Sequence, residues 1–112
     1  MHSRVLVALA VLAALMAGAP ALAAADTSSL AAFVQSCDTD TKACHNFTHD
    51  IIAAAKNADY DCIPKTLSAD DGGNQLLTWM KDTAAGDPKY ASMAVEDVAW
   101  AGVDALWACK AQ

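Results

Sequence analysis

Beyond residue 25 this sequence has no arginine, no Cys-x-x-Cys pair, no glycine-rich phosphate loop and no alternating polar–apolar run. Each absence removes a class of fold or function. With no alternation and few β-branched clusters, strands are not expected. Six lysines against thirteen acidic residues leave this part of the chain at −7. Such a surface repels nucleic acid and anionic lipid and favours a basic or neutral partner. Gly72-Gly73 lacks the following Lys-Ser/Thr of a phosphate cradle. The cysteine gaps of seven, eighteen and forty-seven positions match no zinc-ligand spacing. Repeats, low-complexity tracts and a second-domain linker are also missing, so one domain is expected.

What is present begins with an export signal. Met1-His2-Ser3-Arg4 supplies a short positive segment, and Val5 to Ala19 is unbroken apolar chain. Pro20 breaks it, and Ala21-Leu22-Ala23-Ala24-Ala25 offers small-x-small cleavage sites before Asp26. That order reads as a cleavable signal peptide over residues 1–25, with a periplasmic domain over 26–112. A membrane anchor would need about 20 apolar residues. No cysteine follows closely enough for a lipid anchor.

The exported part keeps Cys37, Cys44, Cys62 and Cys109. An even cysteine count in a short exported chain reads as a disulfide framework. Two bridges of about 2–4 kcal/mol each would supplement a core that is marginal at this size.

Four helices are expected, an all-α bundle stapled by disulfides. Helix A runs from near Ser28 to Ser36, capped by Asp26, Thr27 or Ser28. Helix B runs from about Thr41 to Lys56, with Cys44, Phe47, Ile51 and Ala54 as its buried stripe. Pro64 keeps Ile63 out of the helical region, so a loop follows helix B. Helix C starts after Ser68 or Asp70, carries Leu76 and Met80 four apart with Leu77 beside them, and ends near Gly86. Asp87-Pro88 then opens helix D with an N-cap and a proline at the first helical position. Helix D is expected to run unbroken to Cys109, about 35 Å. Its main stripe is Ala91, Val95, Val98, Gly102, Leu106 and Cys109. Met93, Trp100 and Trp107, spaced by seven, fall on nearly the opposite face. That second apolar face suits a homodimer, or aromatic rings lying over neighbouring helices.

If the helices alternate up and down, as short connections favour, Cys37 and Cys44 flank one end of the bundle. Cys62 and the end of helix D share the other. The expected pairs are therefore Cys37–Cys44 and Cys62–Cys109.

Catalytic patterns are weak. His45 and His49 lie four apart with Asp50 adjacent, but no glutamate or third ligand completes a metal site. Asn46-Phe47-Thr48 fits the glycosylation pattern but falls within a helix with Phe47 directed inward. The cysteines are expected to be oxidised and the serines have no activating motif. The chain is read as a non-enzyme needing no cofactor or metal.

The order of features then carries a resemblance. Cys37; Cys44 with Phe47 and Ile51; Cys62-Ile63-Pro64; Gln75 and Trp79-Met80; Asp87-Pro88; Ala94, Val98 and Leu106; and a terminal Cys109 follow one another. This resembles the Rap/Tai family of immunity proteins over nearly all of residues 26–112. The resemblance implies a small periplasmic helical protein that protects a bacterium from a peptidoglycan amidase delivered by type VI secretion. Thr48-His49-Asp50 stands where the family often has a glycine-containing segment, Ala108 where it often has proline, and Asp70 to Asn74 makes a longer approach to helix C. The implied mechanism is occlusion of the toxin's cleft. Candidate contacts are Asp82, Asp87, Lys89 and Tyr90, and Met93, Trp100 and Trp107 form a candidate dimer face. The competing function is a periplasmic acid-stress chaperone of the HdeA type, also small, helical and exported.

Overall fold

The computed structural model describes residues 25–109. The signal-peptide reading falls on residues 1–25, of which 1–24 lie outside the described part. Among the described residues there are five helices and no strand. They are α1 (Leu30–Ser36), α2 (Thr41–Asn57), α3 (Ala69–Gly86), α4 (Pro88–Ala91) and α5 (Val95–Trp107).

Each of the first four helices begins at a side chain that caps it. Ser29 accepts from the Ala32 amide at 3.1 Å, and Asp40 from the Ala43 amide at 3.0 Å. Ser68 accepts from Asp71 at 3.0 Å, and Asp87 from Lys89 at 3.0 Å. These bonds satisfy amides that the helix itself leaves open. Asp70 and Asp71 in the first turn of α3 also suit the positive end of its dipole. α2 ends differently. The Tyr60 amide donates to the Ala55 carbonyl at 2.9 Å and the Asp59 amide to Lys56 at 3.2 Å. This is a Schellman turn, with Asp59 at φ 52° in the left-handed position usually given to glycine.

The core is Leu30 and Phe33 from α1, Cys44, Ile52 and Ala55 from α2, Leu76, Leu77 and Met80 from α3, and Val95, Val98, Ala99, Val103 and Trp107 from α5. α2 and α3 make the most extensive contact. A Cβ on Gly73 would lie 3.0 Å from the His49 amide nitrogen and 3.2 Å from the Thr48 hydroxyl. The glycine therefore lets two backbones approach closely.

That approach turns α2 by about one residue from the expected face. Its buried positions are Cys44, Thr48, Ile52 and Ala55, while Phe47 and Ile51 are half-buried and Ala54 is exposed. Thr48 tolerates burial because its hydroxyl can donate to the carbonyls of Cys44 or His45, both 3.3 Å away. Phe47 still packs on Phe33, ring centres 5.0 Å apart.

Helix D is not one helix. Residues Ser92 to Ala94 interrupt it, with Ala94 extended at ψ 134°. Neither glycine nor proline marks the break. Its partner is distant in sequence: the Leu30 amide at the start of α1 donates to the Met93 carbonyl at 2.9 Å. α1 thus gains an acceptor for an amide its own helix cannot satisfy. Along α5 the expected Val95, Val98 and Gly102 are buried, together with Ala99, Val103 and Trp107, while Leu106 is 36 % exposed and Cys109 is also exposed.

The disulfides join Cys37 to Cys44 and Cys62 to Cys109, with Cα atoms 5.6 and 4.9 Å apart. These are the pairs that up-and-down alternation predicts. There is no free cysteine among the described residues. The bridges mark an oxidising compartment, extracellular or periplasmic. No helix among the described residues is long and apolar enough to cross a membrane.

Candidate partner-binding surface

The surface best shaped for a partner lies between α3 and α5. Where they touch, Gly102 sits against Leu76 and Trp79. One turn further along α5, Leu106 stands partly uncovered. Facing it from α3 are Asn74, Gln75, Thr78, Trp79 and Asp82, and the groove they enclose is about 440 Å³. Their spacing of one, three and four residues puts them on one side of α3. The groove therefore has an apolar floor, Trp79 and Leu106, and a polar rim ending in a carboxylate.

The four expected contact residues divide. Asp82 is exposed and lines this groove, with no ion pair among the described residues. Tyr90 is half-buried and packs edge-on against the Trp79 ring, centres 6.3 Å apart at 74°. It backs the groove's tryptophan rather than standing free. Asp87 is half-buried and caps α4, and Lys89 is exposed beside it. Leu106, Asn74 and Thr78 were not expected here. Leu106 carried the helical spacing of a core residue, and only the position of α3 reveals that it is left partly uncovered.

The expected dimer face does not exist as one exposed surface. Trp107 belongs to the core at 9 % exposure. Trp100 is half-buried under Tyr60, whose ring meets it edge-on at 5.1 Å and 76°. Met93 is half-buried at the break, outside any helix. The rings lie over their own chain.

A second cluster surrounds the loop after α2. Asp61 sits at φ 56°, and its Oδ2 is sealed from solvent without a hydrogen-bond partner. Proximity to Asp104 of α5, together with desolvation, pushes the Asp61 carboxyl up to about 6. The neighbouring Asp104 carboxylate likewise holds the Tyr60 phenol above its ordinary value. Lys65 pairs with Asp59 at 3.6 Å, and the Lys56 ammonium donates to the Leu67 carbonyl.

His49 lies 3.3 Å from Asp50 and 3.5 Å from Asp70, all on the exposed side of α2 and α3. Such exposed pairs contribute about 1 kcal/mol or less. His45 is exposed. Among the described residues no group of three or more His, Cys, Asp or Glu side chains could hold a metal.

No protein-family model, curated protein or solved structure matches this chain.

Proposed function

We propose that this chain is a periplasmic protein-binding module which neutralises a peptidoglycan amidase by filling its active-site cleft, as Rap/Tai-like immunity proteins do. One observation carries the reading: a half-uncovered tryptophan and an uncovered leucine line a groove with a free carboxylate at its rim. Tryptophan in a partly desolvated pocket is a typical binding hot spot. The groove holds Gln75 and Trp79, two of the residues on which the family resemblance rests. Two disulfides hold the scaffold rigid, which lowers the entropy lost on binding. The acidic surface suits a basic rim around a cleft.

The acid-chaperone reading is weaker. It needs a chain that opens on acidification, whereas two disulfides resist that opening.

The test is inhibition. The purified oxidised protein is mixed with the peptidoglycan amidase encoded nearest to it, and loss of turbidity of isolated cell walls is followed. Stoichiometric protection supports the proposal. Unchanged hydrolysis with no complex by gel filtration refutes it.

A further inference from the structure

The groove between α3 and α5 imposes three demands on whatever fills it. The first is charge. Asp82 stands exposed at the rim and makes no ion pair among the described residues. Lys81, beside it in sequence, borders the flank of α3 turned toward α1, with Val34 and Gln35, and does not line the groove. The groove's charge is therefore negative and uncompensated. The second demand is hydrogen bonding. The exposed side chains of Asn74, Gln75 and Thr78 make no hydrogen bond among the described residues. Two carboxamides and a hydroxyl offer donors and acceptors together. The third is an apolar floor, half-buried Trp79 and Leu106 at 36 % exposure.

The shape of the occupant follows from these. A helix has already spent its backbone N–H and C=O groups on itself, so it leaves the carboxamides little to bind. An extended segment carries both groups free along its edges, and Asn74 and Gln75 can donate to one and accept from the other. From Asn74 to Asp82 is about 12 Å of helix, which three or four extended residues at about 3.3 Å each would span. Trp79 and Asp82 lie about 4.5 Å apart along the α3 axis. Side chains on one side of an extended chain recur every second residue, about 6.6 Å apart. An apolar side chain seated on Trp79 therefore places the side chain two residues away beside Asp82, within reach of a flexible cationic stem. An acidic segment would be repelled there. So would a second copy of this chain, which carries six lysines against thirteen acidic residues beyond residue 25.

We propose that the α3–α5 groove takes an extended segment of a basic partner protein, with an aliphatic side chain against Trp79 and Leu106 and a lysine or arginine two residues away on Asp82. The proposal rests on the reading of this groove as the site that meets the amidase, and it names the part of the amidase that enters. The aliphatic residue supplies buried area, the backbone pairs with the carboxamides, and the cation selects the segment.

The probe is the peptide acetyl-Gly-Lys-Ser-Leu-Ser-Lys-Gly-amide, which sets a lysine two residues from leucine in either chain direction. It is titrated at low ionic strength into the oxidised protein while nitrogen–proton NMR follows the Trp79 indole and the Asn74 and Gln75 carboxamides. Saturable shifts at these groups, with a Kd on the order of 1 mM, are expected. The peptide with both lysines replaced by glutamate, and the one with leucine replaced by serine, should each bind at least tenfold more weakly. D82N, a change at an exposed position, should bring the lysine and glutamate peptides within about threefold of each other. No saturable shift with the lysine peptide up to about 10 mM, equal binding of the glutamate peptide, or shifts confined to residues outside the groove would overturn the proposal. Concentration-dependent shifts of the same groups without peptide would make a second copy the occupant and overturn it equally. No amidase is present, so the two readings fail separately. Inhibited wall hydrolysis without peptide binding removes this proposal alone, and peptide binding without inhibition removes only the immunity function.

Discussion

Replacing Gly102 by alanine isolates how closely α3 and α5 must pack. The added Cβ would lie 2.6 Å from Leu76 Cδ1 and 2.7 Å from Trp79 Cε3. Carbon atoms ordinarily rest about 3.5–4.0 Å apart, so both neighbours must retreat by about 1 Å. Leu76 is fully buried and has no free space. Trp79 is half-buried and can tilt outward, into the groove. Overpacking of this kind costs about 1–3 kcal/mol. Alanine's better helix propensity returns about 1 kcal/mol. The net expectation is destabilisation by about 0–2 kcal/mol, centred near about 1 kcal/mol, where Tm falls by about 4–8 °C for a domain of this size. Gly86 supplies the control. Nothing lies within 4 Å of a Cβ there, and no glycine in the described chain has positive φ. G86A should be unchanged or more stable by about 0.5 kcal/mol. The assay is thermal melting by far-UV circular dichroism with the disulfides intact, alongside tryptophan fluorescence of the folded state. G102A should also show altered emission, because the ring that moves is the groove's own. A G102A protein melting at or above the parent temperature would refute the packing argument.

Four other outcomes are expected. Cys62 and Cys109 are exposed, whereas Cys37 and Cys44 are buried, so mild reductant followed by peptide mapping should open Cys62–Cys109 first. Replacing that pair with serines should cost about 4 kcal/mol in urea unfolding, against about 2.5 kcal/mol for Cys37–Cys44, because it closes the longer loop. Removing the caps by S29A or D40A should each lower stability by about 1 kcal/mol, read from the same urea curves. D82K combined with T78K alters only exposed positions of the groove rim. It should leave the melting temperature near that of the parent while weakening amidase inhibition at least tenfold, by about 1.4 kcal/mol.

What could be read without a structure was local. Ser68 and the Asp87-Pro88 pair announce helix starts, since a cap needs only the amides two or three residues on. The helical composition, the loop at Cys62-Ile63-Pro64 and the even cysteine count needed no neighbour either. Even the disulfide pairing followed from chain direction alone, because antiparallel helices put alternate connections at opposite ends.

The tertiary structure decided everything that depended on a facing surface. Gly73 lets α3 settle against Thr48, so α2 buries Thr48 and Ile52 rather than Phe47 and Ile51. The interruption at Ser92–Ala94 exists where the Leu30 amide takes the Met93 carbonyl, and its cause is more than sixty residues away in sequence. Trp107 lies inward and Leu106 stands partly uncovered, exchanging the roles their spacing implied. Asp61, unremarked in sequence, has its carboxyl pushed up because the Cys62 loop lies on α5, near Asp104. Caps and turns are properties of a few consecutive residues, whereas the choice of buried face belongs to the helix that does the burying.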